Sequence, residues 1–482
     1  MKALVMGLGL HGGGLESARF LLKRGAEVTV TDLRDEETLK PSIEELDKIC
    51  QELGRQPVRY VLGKHEIDDF KNAGIVIKNP GVRPDSPFLQ VSQCIETDIS
   101  LFLKESPARI FAVTGSKGKS GTVSALHWIL SRGRDAGKSF LGGNITVSPL
   151  TFLDELTDKD DVVLELSSFQ LGDLRGRIAP DGNVLLKPAA AILTTILPDH
   201  LDRYPSMDVY IDDKRNIYRG QDSDCLTVAG DDAWGKSFRA ETKARTLTWS
   251  CKQSEQSPFS EGLSGGWITP EGCGLARLYN WSGVSGEIVE LVPQQVLVQG
   301  SHQKLNMLSA ALAAFGLGVK AHTIHSALAS YPGIEHRIEF FHTANGVRFF
   351  NDSAATIPQA AVACVEALSA EAPLVLVTGG TDKNLDFSAL AQAAKKAKAI
   401  ILLAGTGSEK LTQQLDKTGI SYSGPYDNLD EAVTCAINKA ANIKSAGETC
   451  TVALSPGCAS FGMFLNEFDR GRKWKEAVLK LS

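Results

Sequence analysis

Residues 110–122 read Ile-Phe-Ala-Val-Thr-Gly-Ser-Lys-Gly-Lys-Ser-Gly-Thr, an apolar strand that runs through a glycine-lysine-serine loop into the helical stretch Val123–Leu130. A strand this apolar needs cover on both faces, and a helix that follows directly supplies one of them, so the segment predicts an α/β fold built on a parallel sheet. Gly115 and Gly118 free the backbone to turn N–H groups towards phosphate oxygens, and the helix adds its positive N-terminal end. Ser116, Lys117 and Gly121 complete the loop, Lys119 can reach β/γ-phosphates, and the Ser120 hydroxyl suits magnesium. The loop is shorter than G-x-x-x-x-G-K-[ST], because Val113 stands where the first glycine would be. A plain Gly-Lys-Ser turn without ligand is the competing reading.

A chain of 482 residues exceeds one hydrophobic core, and a prior of about 100–200 residues per domain suggests three domains. Their expected bounds are 1–106, 107–331 and 332–482. The first opens with strand Ala3–Met6, the turn Gly7 to Gly14, helix Leu15–Arg24 and strand Glu27–Thr31, which ends at Asp32. This is a Rossmann-like G-x-G-x-x-G start with an acidic residue about 20 positions on. It predicts a pyrophosphate at a helix N-terminus, which NAD and a UDP-sugar both carry; a bare βα turn would look the same. Ile75–Val82, with Asn79, would close the rim of that pocket.

The middle block adds Val162-Val163-Leu164-Glu165, which sets a carboxylate at the carboxyl edge of the sheet, next to the loop and able to ligate magnesium. Strand Ala190–Thr194 leads to Leu197-Pro-Asp-His-Leu-Asp-Arg-Tyr, where His200 is either a metal ligand or part of a surface turn. Cys251–Gly286 reads as an excursion of short strands and turns, and the block ends with Gly300-Ser-His-Gln and helix Lys304–Leu317. The third block, again Rossmann-like, carries the expected strands Val347–Phe350, Leu374–Val377, Ala399–Leu403 and Thr449–Leu454. Polar groups follow three of them: Asn351-Asp352-Ser353, Gly379-Gly-Thr-Asp-Lys383 and Ser455-Pro-Gly-Cys-Ala-Ser460. Open α/β sheets bind ligands at these ends.

Charge and cysteine content exclude other classes. With 51 Lys+Arg against 57 Asp+Glu, and no dense basic tract, nucleic acid is an unexpected partner. Nine cysteines without a C-x-x-C pair read as thiols in a reducing compartment. The first residues enter a strand directly, and no run of 18 apolar residues occurs, so no signal peptide or membrane span is expected. The expected location is the cytoplasm.

Taken together the motifs resemble the Mur ligases of peptidoglycan synthesis over essentially the whole chain, most of all the family's D-glutamate-adding branch. The carriers are Thr114-Gly-Ser-Lys-Gly-Lys-Ser, Glu165-Leu-Ser-Ser-Phe-Gln-Leu, Asp199-His-Leu-Asp-Arg-Tyr, Gly300-Ser-His-Gln, Glu335-His-Arg, Asn351-Asp-Ser-Ala-Ala-Thr, Leu454-Ser-Pro-Gly-Cys-Ala-Ser and Asn466-Glu-Phe-Asp-Arg-Gly. The resemblance implies an ATP- and magnesium-dependent ligase that joins D-glutamate to UDP-N-acetylmuramoyl-L-alanine through an acyl phosphate, as a monomer. It implies that Lys119 contacts the transferring phosphoryl group, that Ser120, Glu165 and His200 hold magnesium, and that Lys214 is carried as a carbamate. Gln303, Arg337 and Asp352 would hold ATP, and Asn144 would contact the nucleotide-linked substrate. Leu10, His11, Gly12, Asp32, Arg34 and Asn79 would line the UDP pocket; Thr356, Lys383, Ser460 and Phe461 would line the glutamate pocket. Read from its own neighbours Asp212, Asp213 and Arg215, Lys214 looks instead like a solvated helix lysine. Four positions depart from the family pattern: Ala354 replaces a common lysine, Gln303 an asparagine, His11 a small hydroxyl residue, and Glu467 an aromatic.

Overall fold

The computed structural model describes residues 1–9, 13–133, 137–145, 147–260, 262–279, 281, 286–298, 300–382, 385–443 and 449–481. Leu10, His11, Gly12 and Lys383 lie outside them. The fold is α/β with three mostly parallel sheets, as the apolar strand and helix alternation predicts. The chain forms two compact units, one of Met1–Gln294 with Lys304–Leu328, the other of Gln295–Gln303 with Ala329–Ser482.

The first unit holds two sheets. Five parallel strands lie in the order Arg59–Leu62, Glu27–Asp32, Lys2–Met6, Ile75–Lys78, Ile95–Glu96. Helix Gly13–Lys23 packs on them through Leu15, Ala18, Phe20, Leu21 and Leu22. It starts two residues before the expected Leu15, because Gly14 lets the helix sit on the strand end: a Cβ there would lie 2.0 Å from the Gly7 carbonyl oxygen.

The second sheet has nine strands, ordered Ile288–Val292, Gly274–Arg277, Gly265–Ile268, Arg245–Ser250, Leu226–Gly230, Ala190–Leu193, Arg109–Thr114, Asp161–Glu165, Ser139–Gly143. The phosphate-loop strand Arg109–Thr114 is central and pairs in parallel with Asp161–Glu165 and Ala190–Leu193, so the ends bearing Thr114, Glu165 and Thr194 lie side by side. Phe111, Ala112, Val113, Val162, Val163 and Leu164 are fully buried there. The expected excursion after Cys251 supplies Gly265–Ile268 and Gly274–Arg277, whose antiparallel pairing extends the sheet and buries Trp267.

Buried ion pairs fasten these two sheets to each other. Lys78 Nζ lies 2.5 Å from Asp173, and Arg177 bonds Glu96 at 2.9 Å and the Ile95 carbonyl at 2.8 Å. Arg203 donates to the carbonyls of Gly81, Pro80 and Val82 while its guanidinium lies 3.7 Å from the Phe169 ring centre, which ties the rim after Asn79 to the His200 loop.

In the second unit six strands run in the order Glu339–Ala344, Val347–Asn351, Cys450–Leu454, Leu374–Gly379, Ala399–Leu403, Ser423–Tyr426. Only the first pair is antiparallel, with Glu339 opposite Asn351. Helices Pro358–Ser369 and Leu429–Ile443 cover the sheet, burying Ala361, Cys364, Val365 and Leu368 with the first and Ala432, Val433, Ala436 and Ala440 with the second. No helix among the described residues is long and apolar enough to cross a membrane.

Candidate active site

The phosphate loop follows from its glycines. Gly115 has φ +151°, and a Cβ there would lie 1.9 Å from Thr194 Oγ1; Gly118 has φ +94° as the residue before helix Lys119–Leu130. The first helical bond runs from the Thr122 N–H to the Gly118 carbonyl. The N–H groups of Lys119, Ser120 and Gly121 therefore precede the intrahelical ladder and face the sheet edge, where an anion would satisfy them. Ser116 and Lys117 behave otherwise: both N–H groups donate to the Thr195 carbonyl, and the Ser116 hydroxyl bonds Leu197 and Tyr210. These bonds brace the base of the loop.

Three charged side chains converge behind it. Lys119 Nζ folds back onto the carbonyls of Gly115 and Ser116, at 3.0 and 3.1 Å, and burial lowers its pKa against the pull of Glu165 and Asp199. Glu165 is 2% exposed. Its Oε1 accepts from Asn144 Nδ2 at 2.8 Å, while its buried Oε2 has no hydrogen-bond partner among the described residues. A buried carboxylate oxygen left open is costly alone and suits a hard cation.

Lys214 corrects the solvated reading of its helix. Met207–Arg215 points Asp212 and Asp213 at Arg175, but turns Lys214 inward, where it is 1% exposed. Its Nζ donates to the Gly115 carbonyl at 2.9 Å and lies 4.5 Å from the Tyr210 ring centre. Burial first, and the neighbouring Lys119 charge second, pull its pKa down to about 7. Local composition misjudged it because inward and outward faces alternate within one helical turn.

His200 sits at φ +54° with its side chain half exposed, its ring 5.0 Å from Phe169 and its Nε2 4.0 Å from Asp199. Asp199 also faces Lys117 at 3.9 Å. In the first sheet, Asp32 Oδ2 accepts the Gly9 N–H at 3.3 Å and Oδ1 that of Arg34 at 3.0 Å, which shapes the turn around the glycine loop. Asn79 accepts the Gly81 N–H and lines a pocket with Gly7, Gly13, Gly14, Lys78 and Asp98. The sequence reading missed Asp98, whose carboxyl pKa burial raises; no motif marks it.

In the second unit the three expected strand ends are stitched together. Gly379 N–H donates to Pro456, Thr381 and Ala459 exchange both backbone bonds, and Gly457 N–H donates to Ala355. This gathers Thr356, Ser460 and Phe461 on one edge, with the Phe461 carbonyl accepting from the Thr381 hydroxyl. Asp352 accepts from Ile338 N–H at 3.1 Å and from the Ser455 hydroxyl at 2.6 Å, and burial lifts its pKa to about 7. Arg337 is exposed beside it, and Gln303 lies in the first turn of helix Ser301–Gly316. Arg470, given no role from sequence, is 1% exposed and bonds Ser353 Oγ, the Ser353 carbonyl and the Cys458 carbonyl at 3.0, 2.8 and 3.2 Å.

A phosphate loop at one sheet edge and a nucleotide-type glycine turn at another place the chain among the phosphate-loop enzymes. Comparison with known proteins narrows the class. Residues 1–100 match the Mur ligase MurD-like N-terminal domain, 113–314 the Mur ligase middle domain, and 336–451 the Mur ligase glutamate ligase domain. The UDP-N-acetylmuramoylalanine–D-glutamate ligase of Treponema pallidum is 38% identical, covering 98% of this chain and 96% of its own. Those of Roseiflexus sp. and Borreliella afzelii are 37% and 38% identical, each covering 99% of this chain and 98% and 97% of theirs. The solved UDP-N-acetylmuramate–alanine ligase of Thermotoga maritima shares the fold, with a TM-score of 0.54 at 19% identity over the full length of both chains. The chain belongs to the Mur ligase family.

Proposed function

We propose that this chain is the D-glutamate-adding ligase of peptidoglycan precursor synthesis, joining D-glutamate to UDP-N-acetylmuramoyl-L-alanine with cleavage of ATP. The observation that carries the reading is Glu165, which interacts with Lys119 at the phosphate loop and whose buried Oε2 has no hydrogen-bond partner among the described residues. The relatives' names supply the substrates.

The chemistry follows from the need to activate a carboxylate in water. A substrate carboxylate oxygen bonds to the γ-phosphorus and ADP leaves; the glutamate amine then attacks the acyl phosphate carbon, a proton is lost and phosphate departs. Gly115, Ser116, Lys117, Gly118, Lys119, Ser120 and Gly121 would cradle ATP, with Lys119 leaving its carbonyls to meet the γ-phosphoryl group. Ser120, Glu165, His200 and a carbamate on Lys214 would hold magnesium, which when bound neutralises phosphoryl charge. Ser116 and Lys117 keep the loop's shape through Thr195, and the rest of the rate comes from positioning.

Gln303, Arg337 and Asp352 would contact ATP. Leu10, His11, Gly12, Asp32, Arg34 and Asn79 would take the UDP group, with Asn144 near the reacting end. Thr356, Lys383, Ser460 and Phe461 would take glutamate. Each sheet then marks a domain, 1–106, 107–331 and 332–482, in a monomer working in the cytoplasm.

The test is phosphate release from ATP and magnesium with UDP-N-acetylmuramoyl-L-alanine, compared with D-glutamate, L-glutamate and no amino acid. Release that requires D-glutamate is expected. Equal rates with both enantiomers would sink the assignment of the amino acid. Release without the UDP substrate would sink the ligase reading.

A further inference from the structure

Asn351 ends its strand just before Asp352 and is fully buried. Its Oδ1 accepts the Ser353 N–H at 3.2 Å, and its Nδ2 donates to Glu339 Oε2 at 3.0 Å. A backbone donor at one end and a carboxylate at the other allow only this orientation of the amide. The same Nδ2 lies 2.8 Å from His336 Nδ1. That ring nitrogen therefore accepts, its proton sits on Nε2, and the imidazole is neutral. A charged imidazole would set N–H against N–H across this contact.

The ring has no room to evade the conflict. A Cβ at Gly471 would lie 2.2 Å from Nδ1, the Phe468 ring stands 5.6 Å away, and His336 holds φ +64°. Its backbone is fixed as well: the N–H donates to Glu339 Oε2 at 2.9 Å, and the carbonyl accepts from Ala354 N–H at 2.9 Å. The charged groups around the ring are Glu335, 3.6 Å from Nε2, Glu339, and Lys475 and Arg472 from helix Glu467–Leu481, with Lys475 bonded to both carboxylates at 2.9 Å. Burial outweighs the carboxylates and lowers the imidazole pKa.

We propose that His336 is a positioning residue for the nucleotide, its neutral imidazole accepting from Asn351 and thereby holding the Glu335–Ile338 turn and Asp352 in the arrangement that takes ATP. The proposal rests on reading Arg337 and Asp352 as ATP contacts. Its consequence is a KM for ATP that rises when this one ring gains a proton.

His336→Asn tests it directly. An asparagine Oδ1 takes the place of Nδ1 as an acceptor, never gains a proton, and tolerates the left-handed backbone. At pH 8 the variant should match the parent. As pH falls below about 6.5 the parent's KM for ATP should climb about tenfold more steeply than the variant's, other titrating groups being common to both. His336→Ala, which leaves a buried amide donor unpaired, should raise KM for ATP about tenfold at every pH, with a smaller change in kcat. Nitrogen-15 NMR of histidine-labelled parent protein, without nucleotide, should show Nδ1 bare and Nε2 protonated. A proton on Nδ1, or the same pH dependence in parent and His336→Asn, would overturn the proposal. A bare Nδ1 with an ATP KM indifferent to His336→Ala would overturn it through its premise, the placement of ATP at Asp352.

Discussion

Asn144 donates to one oxygen of Glu165 at 2.8 Å and leaves the other, which is buried, without a hydrogen-bond partner among the described residues. The pair is a carboxylate aimed by an amide, the arrangement that outer partners give to a metal ligand. Glycine makes it possible, because a Cβ on Gly143 would lie 2.3 Å from the Glu165 carbonyl, which also accepts the Asn144 N–H. Asn144→Ala should raise the magnesium concentration for half-maximal phosphate release by about tenfold, with little change at saturating magnesium. An unchanged magnesium requirement, with a raised KM for the UDP substrate, would assign Asn144 to substrate alone.

Gly115 offers a steric test of the loop. Alanine there would face Thr194 Oγ1 at 1.9 Å and hold a φ that L residues avoid. Thr194 Oγ1 itself bonds the Lys117 carbonyl at 2.7 Å, so displacing it would shift the loop's base. We expect Gly115→Ala to lower kcat/KM for ATP about a hundredfold, the scale of an ångström's misplacement, while the UDP substrate still binds by calorimetry. Comparable loss of both in a folded protein would contradict separate sites.

What was legible in the sequence was whatever local order dictates. A strand of apolar residues that ends in Glu165, or a strand followed by Asn351-Asp352-Ser353, places its polar group at a sheet edge by the α/β rule alone. Helix starts such as Ser301 were less legible, since the polar residues Ser301, His302 and Gln303 carry no apolar periodicity. What tertiary pairing dictates was hidden. His336, Glu339 and Asn351 meet only because a hairpin sets Glu339 opposite Asn351, and Arg470 reaches Ser353 across 117 positions of chain. Lys214 was hidden for a different reason: three charged neighbours describe the outer face of its helix, and the burial of one position between them depends on Tyr210 and the loop at Gly115.

Asp352 predicts a pH-dependent stability in the nucleotide-free protein. Its carboxyl pKa rises from 3.8 to about 7 in the folded chain, so between these values the folded state binds a proton that the unfolded state has lost. Stability from this group is fully present below about pH 4 and is lost as pH rises through about 7. Asp352→Asn, which keeps the shape without the proton, should flatten the fall in Tm across that window. Parallel Tm curves for the two proteins would show that Asp352 ionises freely.

Lys214 carries the last prediction. An ammonium group with no carboxylate paired to it among the described residues, 1% exposed and beside the charge of Lys119, is an unfavourable neighbour for bound cations. Loss of one proton gives the free amine, and its reaction with CO2 forms an N–C bond and releases a second proton, so a positive group is replaced by a negative one with two oxygen donors suited to magnesium. On this reading Lys214→Ala loses most activity, and formate or acetate, small enough to occupy the vacated volume, restores part of it in a concentration-dependent way. Crystals grown with bicarbonate should show added density on Nζ, and Lys214→Arg, which keeps positive charge and cannot form the carbamate, should stay inactive with or without formate. Full activity of Lys214→Ala would end the idea. So would rescue by small amines in place of carboxylates, since that would assign the function to the cation.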